Sequence, residues 1–266
     1  MTFSFMTFST PTLDLASVLA TAKRYGYDGV EPRLDAKHGH GIEVTLSAVE
    51  RAAIRQTVER SGVALSCLAT SCVFANPDTR DAMTRDALDR IALAADVGAP
   101  VVRVFGGALT AGLGREAAIA GVADALKRLA DTAGKRKVTV CLETHDDWCD
   151  PAHVAEVMHR VAHPAIAVNW DILHPVRARC ATVAQSFTTL SPWIRHLHVH
   201  DWANDAFAPI GTGIVDHRTG IALLSQSGYA GALSGEWIGW ESYEIHLPRE
   251  LVTLRQYLTG AASARL

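Results

Sequence analysis

Four charged residues each stand where an apolar run stops. Val138-Thr-Val-Cys-Leu-Glu143 and Ile166-Ala-Val-Asn-Trp-Asp171 end in carboxylates, Ile194-Arg-His-Leu-His-Val-His200 ends in histidines, and Ala232-Leu-Ser-Gly-Glu236 ends in a third carboxylate. Glu143, Asp171, His198 and Glu236 follow one another at intervals of 28, 27 and 38 residues. Each interval is close to one strand–helix unit, so consecutive parallel strands would present one ligand apiece at a similar height. Three carboxylates converging on one mouth repel unless a cation sits among them. Three oxygen donors and one imidazole suit Mn²⁺ first, with Mg²⁺ or Co²⁺ as alternatives, better than the sulfur-rich or three-histidine sites of zinc. Acids are also common in the first turn of helices. Capping could explain any one of them, but not a histidine in the same series.

His196, His198 and His200 occupy alternate positions, so all three face one side of their strand. His196 lies deepest and reads as a hydrogen-bonded core histidine. His174, three residues past Asp171, falls in the following loop, where it could bond a substrate hydroxyl.

The elements that must position these groups come next. The chain has 266 residues with 25 basic and 28 acidic side chains, and no Lys/Arg run longer than Lys135-Arg136-Lys137. That balance lacks the electrostatic footprint of a nucleic-acid or anionic-membrane binder. Strands are expected at 3–8, 28–33, 63–69, 100–105, 138–143, 166–171, 194–200 and 232–237, eight in all. Between them, apolar residues at helical spacing mark helices through Leu15, Val18, Leu19 and Ala22, through Leu88, Ile91, Ala92 and Ala95, and through Ile119, Val122, Leu126 and Leu129. Leu247, Leu251, Leu254 and Leu258 mark the last. Strands alternating with helices imply right-handed βαβ units and a parallel sheet. Eight units of about 33 residues fit an α/β fold made of one (β/α)8 TIM barrel domain over residues 1–266. A doubly wound sheet would carry a Gly-rich turn after its first strand, where Ser9-Thr-Pro-Thr-Leu-Asp14 stands instead, and Gly106 to Gly114 lacks the dinucleotide spacing.

Five cysteines, odd in number and without C-x-x-C spacing, argue against a disulfide framework or a zinc knot. No signal-peptide pattern and no apolar run of about 18 residues occurs. A soluble cytoplasmic protein is expected.

Together these residues resemble the xylose-isomerase-like sugar isomerase/epimerase barrels, over nearly the whole chain. The resemblance rests on Gly26-Tyr-Asp-Gly-Val-Glu31, Val102-Arg-Val-Phe-Gly-Gly107, Leu142-Glu-Thr-His145, Asn169-Trp-Asp-Ile-Leu-His-Pro175, His196-Leu-His-Val-His-Asp201 and Gly228-Tyr-Ala-Gly-Ala-Leu-Ser-Gly-Glu236, in that order. It implies the same four metal ligands, Glu143, Asp171, His198 and Glu236. By likeness to the family's ketose 3-epimerases, it also implies Glu143 and Glu236 as an acid/base pair on opposite faces of a small sugar or keto-sugar. The corresponding chemistry removes a proton α to a carbonyl through an enediolate stabilised by a Lewis acid. His174 would be the family's substrate-contacting histidine. Relatives are often dimers or tetramers, which leaves a homo-oligomer open.

The sequence departs from that pattern in places. Ketose 3-epimerases usually hold substrate with an arginine after strand seven, and residues 201–210 contain none. His200 stands where many relatives carry lysine, and is expected to bind substrate or carry a proton. Arg103 reads as inward-facing, paired with Glu31 or Glu143 or meeting an acidic substrate; Arg103 and Glu31 are both candidate substrate contacts. His38, His40 and Glu43 have no assigned role. The superfamily's three-zinc DNA-repair endonucleases need further histidines on strands three and four, where Ser66, Thr70 and Arg103 stand. A dehydratase or lyase acting on a keto-cyclitol or keto-sugar would use the same metal and the same proton abstraction. A non-catalytic sugar-binding barrel would be expected to lack one of these groups. Trp148, Trp170, Trp202 and Trp237 adjoin strand ends, where they stack on a sugar ring or pack barrel against helix.

Overall fold

The computed structural model describes residues 1–263. Its strands are β1 (Thr2–Met6), β2 (Gly29–Glu31), β3 (Ala64–Leu65), β4 (Leu68–Val73), β5 (Val101–Phe105), β6 (Thr139–Glu143), β7 (Ile166–Asp171), β8 (Ile194–Val199), β9 (Asp201–Ala203), β10 (Ala206–Ala208) and β11 (Ala232–Gly235). Nine of them form a sheet in the order β3-β2-β1-β11-β8-β7-β6-β5-β4, and every pairing within it is parallel. β3 and β4 are two pieces of one barrel position, interrupted at Ser66 and Cys67. A parallel bridge between Arg33 and Ala69 joins the two edges. The Leu34 amide donates to Ala69 O at 2.8 Å and the Ala69 amide to Pro32 O at 3.0 Å. This gives the eight-position TIM barrel expected from the sequence.

Nine helices wrap it: α1 (Leu15–Tyr25), α2 (Ala48–Ser61), α3 (Pro77–Val97), α4 (Arg115–Arg136), α5 (Pro151–Val161), α6 (His174–Arg177), α7 (Val183–Leu190), α8 (His217–Gln226) and α9 (Tyr243–Ser263), among the described residues. Local chemistry sets their ends. Asp14 accepts from the Ser17 amide at 2.8 Å to start α1, Ser47 and Glu50 close a capping box on α2, and proline opens α3 and α5. In α1 the expected residues Leu15, Val18, Leu19 and Ala22 are the buried ones. In α3 the buried line runs through Thr84, Ala87, Ile91 and Ala94, while Leu88, Ala92 and Ala95 are half-buried. A hydrophobicity pattern misses Thr84, whose hydroxyl is satisfied by Arg80 O at 2.8 Å and so is tolerated inside.

The strands expected at 28–33 and 232–237 are shorter, at Gly29–Glu31 and Ala232–Gly235, and three further places differ from expectation. β1 stops at Met6 and turns into a 3-10 helix at Thr7–Ser9. The third barrel position extends to Val73 rather than residue 69. Residues 201–208 form an antiparallel hairpin, β9 with β10, above β8. Its turn residues Asn204 and Asp205 take φ of 51° and 59°, a left-handed turn that these two residue types tolerate.

The barrel interior is largely polar, with one small apolar layer of Cys67, Val101, Cys141 and Ala167. Phe3, Phe5, Val30, Val102, Val104, Val168, Trp170, Leu197 and Leu233 pack outward into the apolar cluster shared with the helices. Strand alternation therefore turns Ser4, Glu31, Arg103, Asn169, His196 and Ser234, each at most 1% exposed, toward the axis. Barrels of this kind usually fill that volume with branched aliphatics. All five cysteines are free thiols. Among the described residues no helix is long and apolar enough to cross a membrane.

Candidate active site

Glu143 and Asp171 are the last residues of β6 and β7, His198 is the penultimate residue of β8, and Glu236 lies one past β11. The four side chains are buried, at 0, 0, 0 and 6% exposure. Each offers a ligand atom within 4.8 Å of the others'. Neighbouring parallel strands in register bring them together, with Glu143 opposite Asn169 and Asp171 opposite His198.

His198 organises the cluster. Its Nδ1 lies 2.7 Å from Glu143 Oε1, 3.3 Å from Glu236 Oε2 and 3.1 Å from Asn169 Nδ2. Its Nε2 lies 3.0 Å from Glu31 Oε1, and Glu31 Oε2 meets His196 Nε2 at 2.8 Å. Donation from Nε2–H to Glu31 leaves the Nδ1 lone pair facing two carboxylates. Burial opposes charge on His198, but Glu31, Glu143 and Glu236 outweigh it and raise its pKa well above the ordinary value. Burial also works against ionised Glu31, which His198 and His196 nevertheless hold well below the usual carboxylate range. Glu236 is drawn down to about 2 against its burial, chiefly by His198. With its raised pKa the His198 imidazolium is one cation for these carboxylates, and a divalent ion at Nδ1 would take the place of its proton; Glu143 Oε2 and Asn169 Oδ1 are buried without a hydrogen-bond partner. A hard divalent metal fits this donor set of three carboxylates and one imidazole.

Asp171 has its two oxygens divided. Oδ1 accepts from the Leu173 and His174 amides at 2.8 and 3.0 Å, while Oδ2 lies 2.8 Å from His200 Nε2 and 3.7 Å from His174 Nε2. Asp171, His174 and His200 form a second cluster of ligand atoms beside the first. Burial raises the Asp171 carboxyl, but His174, His200 and His198 together pull it far below the usual range.

The other expected residues fall as follows. Arg103 Nε reaches Glu143 Oε2 at 3.1 Å, an ion pair whose geometry is off the hydrogen-bond axis, and its Nη1 donates to Thr70 O at 2.8 Å. Of the partners open in the sequence, Arg103 takes Glu143, and Glu31 takes the two histidines instead. Glu31 is fully buried beneath His198 with both oxygens engaged. His196 is a core histidine. His40 is structural as well, with Nε2 on Arg33 O at 3.2 Å and Nδ1 accepting from the Ile42 amide at 3.0 Å.

Trp148 is a packing residue: its Nε1 donates to Gly107 O at 2.8 Å. A Cβ at Gly106 would meet that indole at 2.2 Å, so the Gly-Gly pair serves close packing rather than phosphate binding. Trp237 and Trp202 belong to an aromatic wall over the mouth. Trp237 stacks on Trp240 at 6.4 Å, Trp202 meets Phe207 at 5.4 Å, and Phe207 meets His200 at 5.7 Å. Asp201 pins the hairpin beneath that wall by accepting from the amides of Trp202, Gly211, Gly213 and Val215 at 2.9–3.1 Å.

Three groups were not singled out from the sequence. Asn169 lies within the Asn169-Trp-Asp171 motif on the inward face. His145, two residues beyond Glu143, stands against His174 with ring centroids 4.4 Å apart. Burial works against its charge, but Asp146 at 2.8 Å raises its pKa to about 9. Arg33 continues the alternation through Gly29 and Glu31. A cavity of about 340 Å³ opens beside His145, Cys149, His174 and Arg177. Another, of about 350 Å³, lies at the opposite mouth near Thr2, Asp28 and Arg195, away from the carboxylates.

The family model described as xylose isomerase-like TIM barrel matches residues 19–255. The chain belongs to that family. No curated protein matches it. Among solved structures, this xylose isomerase-like barrel is similar to an L-ribulose 3-epimerase at 17% identity and a TM-score of 0.83, covering 99% of this chain and 96% of that one. It is similar to the probable 3-DHS dehydratase AsbF of Bacillus anthracis at 18% and 0.78, covering 96% and 99%. A third is a xylose isomerase-like TIM barrel protein from Mycobacterium smegmatis in complex with magnesium, at 18% and 0.77, covering 98% and 97%. At such identities the likeness carries the fold.

Proposed function

We propose that this xylose isomerase-like barrel is a divalent-metal-dependent sugar isomerase or epimerase, with Glu143, Asp171, His198 and Glu236 as ligands and Mn²⁺ as the preferred metal. The observation that carries this reading is the convergence of Glu143 and Glu236 on one nitrogen of buried His198. A bound cation would supply Lewis-acid stabilisation of the negative charge that develops on a substrate carbonyl oxygen. Glu143 and Glu236, on different strands either side of His198, act as the acid/base pair. One carboxylate removes the proton α to the carbonyl and the other returns a proton at the same or the neighbouring carbon. Arg103 holds Glu143 in place. His174 and His200 bind substrate hydroxyls, and Asp171 orients His200. The aromatic wall of Phe207 and Trp240 covers the apolar face of the sugar and excludes water. Five free thiols support a reducing setting such as the cytoplasm.

A second reading, a dehydratase on a keto-sugar or keto-cyclitol, draws on His145. Its raised pKa keeps it protonated at neutral pH beside His174, where it could protonate a departing hydroxyl. Incubating the Mn²⁺-loaded protein with ketoses and keto-cyclitols in D₂O separates the two. Solvent deuterium in a recovered epimer or isomer supports the first reading, and loss of water supports the second. Absence of stoichiometric divalent metal in protein purified without chelator, with no gain on adding Mn²⁺, overturns both.

A further inference from the structure

Arg33 carries a guanidinium that forms no ion pair with a carboxylate among the described residues. It lies two residues beyond Glu31 on the inward face of the second barrel position, one layer nearer the carboxyl mouth. Its Nη2 donates to Ser71 Oγ at 2.7 Å, and its Nη1 to the carbonyls of Ala69 and Leu34. All are neutral oxygens, and Arg33 makes no ion pair among the described residues. The acids around it are engaged elsewhere. Asp35 is held by Arg90 at 2.6 and 3.2 Å and by the Ser71 amide, Glu31 by His196 and His198, and Glu143 by Arg103 and His198. Burial and the nearby Arg103 lower the proton affinity of Arg33, and Asp35 first, then Glu236 and Glu143, are near enough to offset part of that. The guanidinium nonetheless stays charged.

We propose that Arg33 receives an anionic group of the substrate, a carboxylate or a phosphate, so that the barrel acts on an acidic sugar derivative rather than a neutral ketose. This rests on the reading of the mouth as a metal-assisted isomerase site and names its substrate class. A half-buried, planar guanidinium with donors unmatched by charge suits two oxyanion oxygens, which form charge-assisted bonds about twice as strong as neutral ones. Ser71 Oγ, which accepts from Nη2, adds a hydroxyl beside it, while buried Thr7 Oγ1 is taken by the Arg33 amide and His38 Nδ1, both at 2.9 Å. The loop after β8 has no arginine to do this from the other side of the mouth.

The test is calorimetric titration of the full chain, with and without Mn²⁺, using D-fructose, D-fructuronate and D-fructose 6-phosphate. Mn²⁺ binding without sugar is measured separately, so failure of the metal reading is seen independently of the anion preference. At least one anion is expected to bind at least tenfold tighter than D-fructose, and which one does so separates carboxylate from phosphate. Arg33→Met should abolish that preference while Mn²⁺ binding and D-fructose affinity hold, and Arg33→Lys should keep part of it. Thermal unfolding of both variants checks that they fold. Equal affinities for all three sugars, or a preference that survives in Arg33→Met, overturns the proposal.

Discussion

Glu31 Oε1 lies 3.0 Å from His198 Nε2, on the far side of the imidazole from Glu143. The proposed ligand histidine is thus held from behind by a buried carboxylate, an arrangement that would fix its tautomer and turn Nδ1 to a bound metal. Glu31→Gln keeps the shape and removes the charge. It should weaken Mn²⁺ binding about 10–100-fold, the range typical for loss of such a partner. Titration of Mn²⁺ into the apoprotein checks this, and unchanged affinity would leave Glu31 with packing alone.

Glu143 and Glu236 are expected to be separately indispensable. Glu143→Gln and Glu236→Gln should each lower turnover by about 10²–10⁴, the usual worth of a positioned acid or base. The double variant should lose little more than the worse single one, because the two steps act in series. Exchange of substrate deuterium with solvent is the measurement, and full exchange in the double variant would refute the roles.

Metal should also stabilise the fold, since four buried donors repel or stay unpaired without it. Mn²⁺ at about 100 times its dissociation constant contributes about 2.7 kcal/mol through binding the native state alone. In a chain of this size each kcal/mol raises Tm by about 2–4 °C. Calorimetry with EDTA against Mn²⁺ should therefore show a rise of several degrees.

His40 is kept neutral in the folded protein, its pKa lowered to about 4 chiefly by burial. The unfolded chain binds that proton from about pH 6.5 downward, so the contribution of His40 is complete above pH 6.5 and is lost as pH falls toward 4. The loss is of order 3 kcal/mol at the acid end. Urea unfolding of the wild type and His40→Gln at pH 7 and pH 5 should show a smaller drop for the variant, and parallel drops would contradict the assignment.

Gly106→Ala places a methyl into the Trp148 indole. Overpacking of this kind costs about 1–3 kcal/mol, read as a lower Tm with metal binding retained.

Much of the barrel was readable because strand and helix periods are local properties of the chain. Each expected strand has its counterpart, and the α1 stripe is buried residue for residue. The four converging donors were readable too, since a strand end is marked by the polar residue that stops an apolar run. Boundaries drifted where local chemistry competes, as at the hairpin after β8, whose Asn204-Asp205 turn was the available signal.

Residue order alone determined that one ring of parallel strands would lift Glu143, Asp171, His198 and Glu236 to one mouth. Tertiary structure decided who partners whom. Glu31 finds His196 across 165 residues of sequence, Arg103 takes Glu143 rather than Glu31, and Arg33 has no ion-pair partner among the described residues. Such pairings depend on which charges share a small, water-poor space, where each ion must be matched at distances of about 3 Å. Barrel closure and register set those distances, and no spacing along the chain encodes them.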